Sequence, residues 1–378
     1  MNRLHRLRDA GQSIWLDFIE RELLRDGNLE RRIDEDAITG MTSNPTIFEK
    51  ALAEGTDYDE QLRTIAGRLT APELFETIAT TDVRDACDIF RPVYDRTDGG
   101  DGYVSIEVSP AAANDAAATV AEAHRLWERI DRPNVMVKVP GTAEGAKAVR
   151  RLIADGVNVN ITLLFAIEAH ARVIDAYMAG LEDRDKAGRS VSAQASVASF
   201  FVSRVDTEVD KRLDALIPTL SGADRARAEA LRGKAAIANA KLAYRLFRRE
   251  FSPPRWTRLR ARGARVQRPL WASTSTKNPA YRDVMYVEQL IGPQTVNTMP
   301  PATIDAFRDH GEVARTVDVG LDEAERVIAE LERLGISMRA VTEKLLVDGL
   351  AAFQKSYDAV IGGLETKSRA LGRELATR

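Results

Sequence analysis

The chain has 378 residues, 44% of them hydrophobic and 29% charged, with a formal net charge of −3 at pH 7. This length exceeds the roughly 250–300 residues at which single cores stop growing, so one large α/β domain with insertions and two domains are both compatible with it. The balanced charge excludes a globally basic nucleic-acid-binding protein and an acidic tail.

Cysteine content and hydropathy indicate the compartment. Cys87 is the only cysteine, so we expect neither a disulfide framework nor a cysteine-based metal site. We expect it to be a small residue of the protein core, within a helix at 82–90. The first ten residues have no apolar signal core, and no apolar run reaches the roughly 20 residues needed to span a bilayer. We therefore expect a soluble, cytoplasmic protein with no nucleic-acid or membrane partner.

The arginine-rich stretch 245–268 is interpreted as a solvated helix end and loop.

Eight short apolar runs alternate with longer amphipathic stretches. The predicted strands are 13–18, 38–44, 103–109, 135–140, 157–164, 195–202, 268–273 and 295–299. Helical patterns between them include 114–130, 143–154, 166–179 and 207–216. Eight βα repeats predict a closed (β/α)8 barrel, the TIM barrel, more than an open doubly wound sheet. Neither a GxGxxG nor a Walker A motif occurs, so no nucleotide cofactor is expected.

Helical segments exceed the minimal barrel. We expect 28–36 together with helices at about 48–90 to form a long connection between the second and third strands. A long Ala- and Arg-rich helix is predicted at about 224–251, and a helical tail at about 303–378. We treat 1–378 as a single domain. Whether the tail caps the barrel or contacts a partner stays open, as does the choice between monomer and homodimer.

Polar residues occur late in nearly every predicted strand or just after it. They are Asp17, Asn44, Glu107, Lys138, Asn160, Thr162, Ser199, Arg204, Ser273, Ser275 and Lys277. Individually, each is also compatible with an ordinary role such as a helix cap, a turn or a surface charge. Because catalytic side chains of such barrels project from the C-terminal ends of strands, the set predicts a site there.

Lys138 interrupts the β-branched run 135–140, which otherwise has the character of a buried strand. An unpaired buried ammonium is costly, so such a lysine tends to lose its proton. A neutral amine is the nucleophile that forms a Schiff base with a carbonyl substrate. The alternative is a lysine at the end of an edge strand whose amine reaches solvent.

The other polar residues have side chains that a Schiff-base aldol reaction requires. We assign proton transfer to Asp17 and Glu107, hydroxyl binding to Asn44, Asn160 and Ser199, and phosphate binding to Arg204, Ser275 and Lys277. Two carboxylates in different surroundings have different pKa values and hence different roles.

Three motifs, in this order, resemble the transaldolase family: GMTSNPTIF at 40–48, VMVKVPGT at 135–142 and GVNVNITLLF at 156–165. The resemblance extends over about 13–307, and the length and helical insertions are similar to those of the longer bacterial members. It implies an α/β barrel with the Schiff-base lysine on the fourth strand, and neither a metal nor an organic cofactor.

The resemblance also implies roles for individual residues. Lys138 matches the Schiff-base lysine, and Asp17 matches the acid/base aspartate of carbon–carbon bond cleavage. Glu107 and Thr162 match the pair that holds the catalytic water. The dihydroxyacetone-binding positions are matched by Asn44, Asn160 and Ser199, and a phosphate-binding arginine is matched by Arg204.

Two segments depart from the family pattern. Residues 200–204 read FFVSR where many relatives have Pro-Phe-Val-Gly-Arg, and serine does not allow all the backbone angles that glycine allows. Residues 272–278 read ASTSTKN where relatives often have Ser-Phe-Arg, so Lys277 supplies a point charge without a guanidinium fork. Whether Ser273 or Ser275 faces the phosphate stays open.

The function implied is transfer of a dihydroxyacetone unit from sedoheptulose 7-phosphate or fructose 6-phosphate to glyceraldehyde 3-phosphate or erythrose 4-phosphate, in the non-oxidative pentose phosphate pathway. Two alternatives stay open: a fructose-6-phosphate-type aldolase that releases free dihydroxyacetone, and a non-catalytic phosphosugar-binding barrel. No histidine lies at a predicted strand end, which argues against an isomerase.

Overall fold

Eight parallel strands form a closed barrel in the computed structural model, which describes residues 2–54, 56–65 and 67–376. Each strand pairs with its neighbours in chain order, and the first pairs with the last. The strands are β1 (Gln12–Asp17), β2 (Ile38–Thr42), β3 (Val104–Glu107), β4 (Val135–Pro140), β5 (Val159–Leu164), β6 (Ser196–Phe201), β7 (Arg268–Ala272) and β8 (Thr295–Met299). The predicted (β/α)8 barrel is confirmed, and every predicted strand overlaps an observed one.

Helices surround the barrel and extend beyond it. They are α1 (Arg3–Asp9), α2 (Arg21–Arg25), α3 (Asn28–Glu35), α4 (Pro45–Glu54), α5 (Asp59–Ile65), α6 (Ala71–Arg96), α7 (Ala116–Ile130), α8 (Ala143–Asp155), α9 (Ile167–Lys186), α10 (Ser203–Leu216), α11 (Gly222–Ala230), α12 (Ala235–Glu250), α13 (Pro254–Ala261), α14 (Met285–Glu288), α15 (Pro301–His310), α16 (Leu321–Arg333) and α17 (Met338–Ala376). Short 3-10 helices occur at Pro110–Ala112 and Ile217–Thr219. Within the described residues, no helix has the length and apolar character needed to cross a membrane.

Local capping determines where the helices on either side of β4 begin and end. Asp115 accepts hydrogen bonds from the first turn of α7, and Thr142 Oγ1 accepts one from Gly145 N at 2.9 Å in α8. Gly156 ends α8 in the left-handed region at φ 104°, which glycine adopts at little cost. Thr142 and Gly156 therefore keep the connections of α8 to β4 and to β5 to a few residues.

Side chains alternate along β4 between the two faces of the barrel wall. Val135, Val137 and Val139 belong to the core that the strands share with the helices, whereas Met136 belongs to a cluster made by strand residues inside the barrel. Because successive side chains of a strand point to opposite faces, Lys138 points into the barrel as Met136 does. The alternative of a lysine on an edge strand is wrong, since β4 is paired on both sides.

Two predictions about the helical insertions are wrong in detail. Residues 28–36 do not belong to the connection between β2 and β3, because α3 precedes β2, and the connection is made by α4, α5 and α6. The span 224–251 is two helices, α11 and α12, interrupted by a turn in which Gly233 has φ 69°. Cys87 is buried in α6, as predicted.

The C-terminal tail caps the barrel. Helix α17 packs against α4, α5, α6 and α10 and also contacts β5. Since α4 and α10 directly follow β2 and β6, α17 crosses the C-terminal end of the barrel. The tail therefore forms one wall of whatever site lies there.

Candidate active site

A cavity of about 990 Å³ opens at the C-terminal end of the barrel. The predicted site residues that line it are Asp17, Asn44, Glu107, Lys138, Thr162, Ser199, Arg204, Ser273, Ser275 and Lys277. Asn160 alone among the predicted residues is absent from the wall of this cavity. Ten side chains from seven different strand ends thus converge on one space, as expected when parallel strands end at the same edge.

Lys138 lies next to Glu107 of the neighbouring strand. The β3–β4 register sets the two residues side by side, with Nζ 3.2 Å from Glu107 Oε2. Nζ also donates a hydrogen bond to the carbonyl oxygen of Ser43 at 3.2 Å. The two side chains are 9% and 7% exposed. The charge of Lys138 is therefore buried but not unpaired, because its partner comes from another strand and not from its sequence neighbours.

Burial raises the pKa of the Glu107 carboxyl above its usual value. The nearby ammonium of Lys138 and its hydrogen bond oppose this shift, whereas the negative charge of Asp17 adds to it. A carboxyl group with a raised pKa exchanges protons more readily near neutral pH than an ordinary glutamate. Glu107 can thus exchange a proton with Lys138 directly.

Asp17 is oriented by a hydroxyl group of β2, which in turn contacts a hydroxyl group of β8. Thr42 Oγ1 donates a hydrogen bond to Asp17 Oδ1 at 2.7 Å and lies 2.6 Å from Thr298 Oγ1. The carboxylate is half-buried at the end of β1 and acts electrostatically on both Glu107 and Arg204. Sequence reasoning did not single out Thr42 or Thr298, because a threonine in a strand is usually a β-favouring filler.

Asn160 lies below the cavity and connects three strands. Its Nδ2 donates to Ser105 Oγ of β3 at 3.0 Å, and its Oδ1 accepts from Ser199 Oγ of β6 at 2.7 Å. It is fully buried and pairs with Lys138 in the β4–β5 register. The amide therefore fixes the orientation of Ser199, which does line the cavity.

Asn44 and Thr162 contribute to the wall from opposite sides. Asn44 Oδ1 accepts from Ile47 N at 3.2 Å, so the residue also caps the start of α4, an ordinary role that its sequence suggested. Thr162 lies where β5 leaves regular pairing with β6, next to Leu163, which has φ 58°. A positive φ at a leucine costs energy and is concentrated at functional sites.

Arg204 is a cation that pairs with no carboxylate among the described residues. It lies in the first turn of α10 and lines the cavity with an exposed side chain, and it forms no ion pair or hydrogen bond with any described residue. Its guanidinium carbon lies 5.2 Å from the centroid of the Phe201 ring. Surrounding protein atoms lower its pKa by desolvation, and the charge of Asp17 opposes this. An unpaired guanidinium in a cavity is suited to an anionic ligand.

The segment after β7 approaches the start of α10. Ser273 Oγ lies 2.9 Å from Ser203 Oγ, and Ser203 N donates to Ser273 O at 3.0 Å. Ser275 Oγ instead accepts from Lys277 Nζ at 3.0 Å. Both serines line the cavity, but the hydroxyl of Ser273 is already engaged by α10, whereas that of Ser275 lies beside the second cation.

Helix α17 supplies lining residues that sequence reasoning did not identify. They are Gly349, Ala352, Phe353 and Ser356. A Cβ atom at Gly349 would lie 3.0 Å from Leu163 Cδ2, closer than most Cβ contacts, so a larger residue here would require the Leu163 side chain to shift. The available signal was a glycine within a helical pattern, which is seldom informative by itself.

Carboxylates at the rim form one group with a spacing compatible with a metal ion. Glu20, Glu22 and Asp57 have oxygens within 4.8 Å of one another, and they are the one such group found among the described residues. Exposed acidic groups of this kind are common on protein surfaces. None of the predicted catalytic residues belongs to the group.

The amino-acid sequence is similar to a known protein family and to several curated proteins. Residues 14–364 match the family described as Transaldolase/Fructose-6-phosphate aldolase. A protein named Transaldolase from Parafrankia sp. (strain EAN1pec) is 51% identical, covering 93% of this chain and 94% of the relative. A Transaldolase from Thermobifida fusca is 50% identical over 95% and 96% of the two chains, and Transaldolase 2 from Nostoc sp. is 45% identical over 98% and 99%.

Proposed function

The chain belongs to the transaldolase/fructose-6-phosphate aldolase family, and from that premise we propose that its transaldolase reaction moves a dihydroxyacetone unit between phosphorylated sugars. The donor is a ketose phosphate, sedoheptulose 7-phosphate or fructose 6-phosphate. The acceptor is an aldose phosphate, glyceraldehyde 3-phosphate or erythrose 4-phosphate, as in the non-oxidative pentose phosphate pathway. The single observation that carries the proposal is the buried Lys138–Glu107 pair at the floor of the cavity.

The first step is formation of a Schiff base. Glu107 takes a proton from Lys138, and the neutral amine attacks the C2 carbonyl of the ketose to give a carbinolamine. Protonation of the C2 hydroxyl, through a water held by Glu107 and Thr162, expels that oxygen as water and leaves the protonated imine. The raised pKa of Glu107 supports this step, because a carboxyl with a raised pKa holds a proton at higher pH than an ordinary glutamate does.

The second step breaks the C3–C4 bond. Asp17 accepts the proton of the C4 hydroxyl, C4 becomes the aldehyde carbon of the departing aldose, and the bonding electrons pass into the imine to form an enamine. The hydrogen bond from Thr42 keeps the carboxylate of Asp17 oriented for this proton transfer. The enamine then adds to the acceptor aldehyde, Asp17 returns a proton to the new hydroxyl, and hydrolysis of the imine releases the product.

Neutral side chains and cations hold the substrate. Asn44 and Ser199 bind the hydroxyls of the dihydroxyacetone unit, and Asn160 acts by orienting Ser199. Arg204 binds the phosphate together with Lys277 and Ser275. No described carboxylate pairs with Arg204, and this supports the role, because a bound phosphate would supply the missing negative charge.

Transfer is favoured over simple aldol cleavage by the covering helix. The enamine yields free dihydroxyacetone when it is protonated and its imine is hydrolysed before an acceptor arrives. Helix α17 lies across the mouth and limits access to the cavity, which favours retention of the enamine.

We also propose that the enzyme works in the cytoplasm, where phosphorylated sugars are produced and a free thiol such as Cys87 stays reduced.

A coupled assay tests the proposal. With fructose 6-phosphate and erythrose 4-phosphate together, glyceraldehyde 3-phosphate should be produced at least a hundredfold faster than with fructose 6-phosphate alone. Equal rates with and without the acceptor would identify an aldolase. Binding of fructose 6-phosphate without turnover under either condition would identify a non-catalytic sugar-binding barrel.

A further inference from the structure

A second cavity, of about 650 Å³, lies at the opposite end of the barrel, where the strands begin. Its barrel wall includes Tyr103, Met136, Ala195 and Gln294, which are located at or just before the starts of their strands. Its other wall comes from the end of α12 and from α13. This cavity is separated from Lys138 by the interior of the barrel, so it takes no part in the proposed reaction.

Four arginines line this cavity, which we call the basal cavity. They are Arg248, Arg260, Arg265 and Arg268. No aspartate or glutamate is among the described residues of its wall. All four lie within the arginine-rich stretch 245–268, so the interpretation of that stretch as merely a solvated helix end and loop is incomplete.

Two of these arginines are held in place by other protein groups. Arg268 Nη1 donates to Ser13 Oγ at 2.7 Å, and Nη2 lies 3.4 Å from Asp101 Oδ1. The Asp101 carboxylate is shared, because it also accepts hydrogen bonds from Trp15 Nε1 at 2.8 Å and from Ser13 Oγ. Arg268 is therefore held at the wall by a carboxylate that is itself fixed by Trp15 and Ser13.

Arg265 is positioned mainly by neutral oxygens. It donates to the carbonyl oxygens of Ser192, at 3.0 Å, and of Asp98. The carboxylate of Asp98 is 3.5 Å away but fully exposed to solvent, where ion pairs contribute little. Arg265 thus keeps most of its positive potential toward the cavity.

The other two arginines have no carboxylate partner. Neither Arg248 nor Arg260 forms an ion pair with a described residue; Arg248 interacts with the hydroxyl of Tyr244 and only more distantly with Asp318. Arg245 and Arg262, which are not part of the wall, pair with Glu325 at 2.6 Å and with Asp185 at 3.0 Å. Arg248 and Arg260 therefore face the cavity with guanidinium groups that no described carboxylate pairs.

We propose that the basal cavity binds a small anion that carries two or more phosphate groups. The planar guanidinium fork matches phosphate oxygens in pairs, and four such groups exceed what one phosphate engages. The volume lies within the range of about 300–1,000 Å³ typical of small-molecule sites. Binding at the basal cavity is independent of the reaction proposed for the other end of the barrel.

Calorimetric titration of the full chain with inorganic pyrophosphate at constant ionic strength tests this proposal. We expect saturable binding that weakens at least tenfold in Arg248→Ala/Arg260→Ala. The matched control is Arg245→Ala/Arg258→Ala, which removes two charges from the same helices but none from the wall, and it should bind within threefold of the parent chain. Orthophosphate should bind at least tenfold more weakly than pyrophosphate.

Further variants separate the basal cavity from the barrel mouth and from effects on folding. Binding to the basal cavity should persist in Arg204→Ala, which removes the cation of the mouth. The variant Arg248→Lys/Arg260→Lys keeps the charges and loses the forks, so its affinity should be intermediate. The proposal is overturned if the parent chain shows no saturable binding at millimolar pyrophosphate, if the double alanine variant binds as tightly as the parent, or if Arg204→Ala alone abolishes binding.

Discussion

Lys138 and Glu107 form a buried ion pair across the β3–β4 ladder, with Nζ 3.2 Å from Oε2. The parallel register puts the two residues side by side, and the alternation of side chains turns both toward the interior of the barrel. Burial raises the pKa of the Glu107 carboxyl, which makes it a better proton acceptor than an ordinary glutamate for the step that frees the amine of Lys138.

Replacing Lys138 with alanine should abolish covalent trapping. The enzyme is treated with borohydride in the presence of fructose 6-phosphate, and the borohydride reduces the Schiff base to a stable amine. The parent chain should then gain the mass of a dihydroxyacetone adduct. Lys138→Ala should gain none, since Lys277, the other amine among the described residues of the cavity wall, is exposed and bonds to Ser275 and not to a carboxylate. Lys147→Ala, which removes an exposed lysine of α8, is the control and should be trapped fully. Full trapping of Lys138→Ala would reject the mechanism.

Glu107→Gln should lower kcat/KM by about 10²–10⁴, the usual contribution of a general acid–base group. Glutamine keeps the hydrogen-bonding shape but cannot exchange a proton with Lys138. The pH dependence of kcat/KM should therefore lose the limb that Glu107 provides in the parent chain, and this limb should lie above the pH at which an ordinary glutamate titrates. An unchanged pH profile would show that another group moves the proton.

Arg204→Ala should raise KM for phosphorylated acceptors by about 10–100-fold, because a hydrogen bond to a charged group contributes about 1.5–3 kcal/mol. The same variant should transfer to unphosphorylated glyceraldehyde nearly as well as the parent chain does. Lys277→Ala should have a smaller effect, since an ammonium lacks the bidentate fork. Equal losses with both kinds of acceptor would contradict a role in phosphate binding.

Gly349→Val should disturb the close contact between α17 and β5. A Cβ atom there would lie 3.0 Å from Leu163 Cδ2, and overpacking of this kind typically costs about 1–3 kcal/mol. We expect a higher KM together with a lower free energy of unfolding in urea. Gly362→Val is the matched control, because it makes the same change in the same helix at a position with no atom within 4 Å. Equal effects of the two substitutions would remove the contact with Leu163 from the explanation.

Asp206 should make the stability of the protein depend on pH. Its buried carboxyl accepts hydrogen bonds from Tyr286 Oη at 2.8 Å and Ala236 N at 2.7 Å, and burial raises its pKa to about 7. Since an unfolded aspartate titrates near about 3.9, the folded state holds a proton that the unfolded state has released between those values. The stability contribution is thus fully present below pH about 4 and is lost as the pH rises toward 7.

Asp206→Asn should remove this dependence. Relative to the parent chain, the variant should become more stable between pH 5 and pH 8 by an amount on the order of 2–3 kcal/mol, measured by urea unfolding at each pH. Asp214→Asn, which changes an exposed residue of the same helix, should show no such trend. A constant difference between Asp206→Asn and the parent chain across this range would show that Asp206 titrates normally.

Local pattern was enough to predict the barrel and most of the residues that line the cavity at its C-terminal end. The β-branched runs determined the strands, and polar residues late in those runs, such as Asp17 and Lys138, were predicted to share one end of the barrel. That prediction holds because strand period and the common direction of parallel strands are properties of the chain itself. Only the tertiary structure shows that Lys138 pairs with Glu107 and that Asn160 lies outside the cavity wall. It also shows that Gly349 packs against Leu163 and that four arginines line the basal cavity. These relationships depend on strand register and helix packing between residues distant in the chain, and hydrophobic periodicity does not encode which distant residues meet.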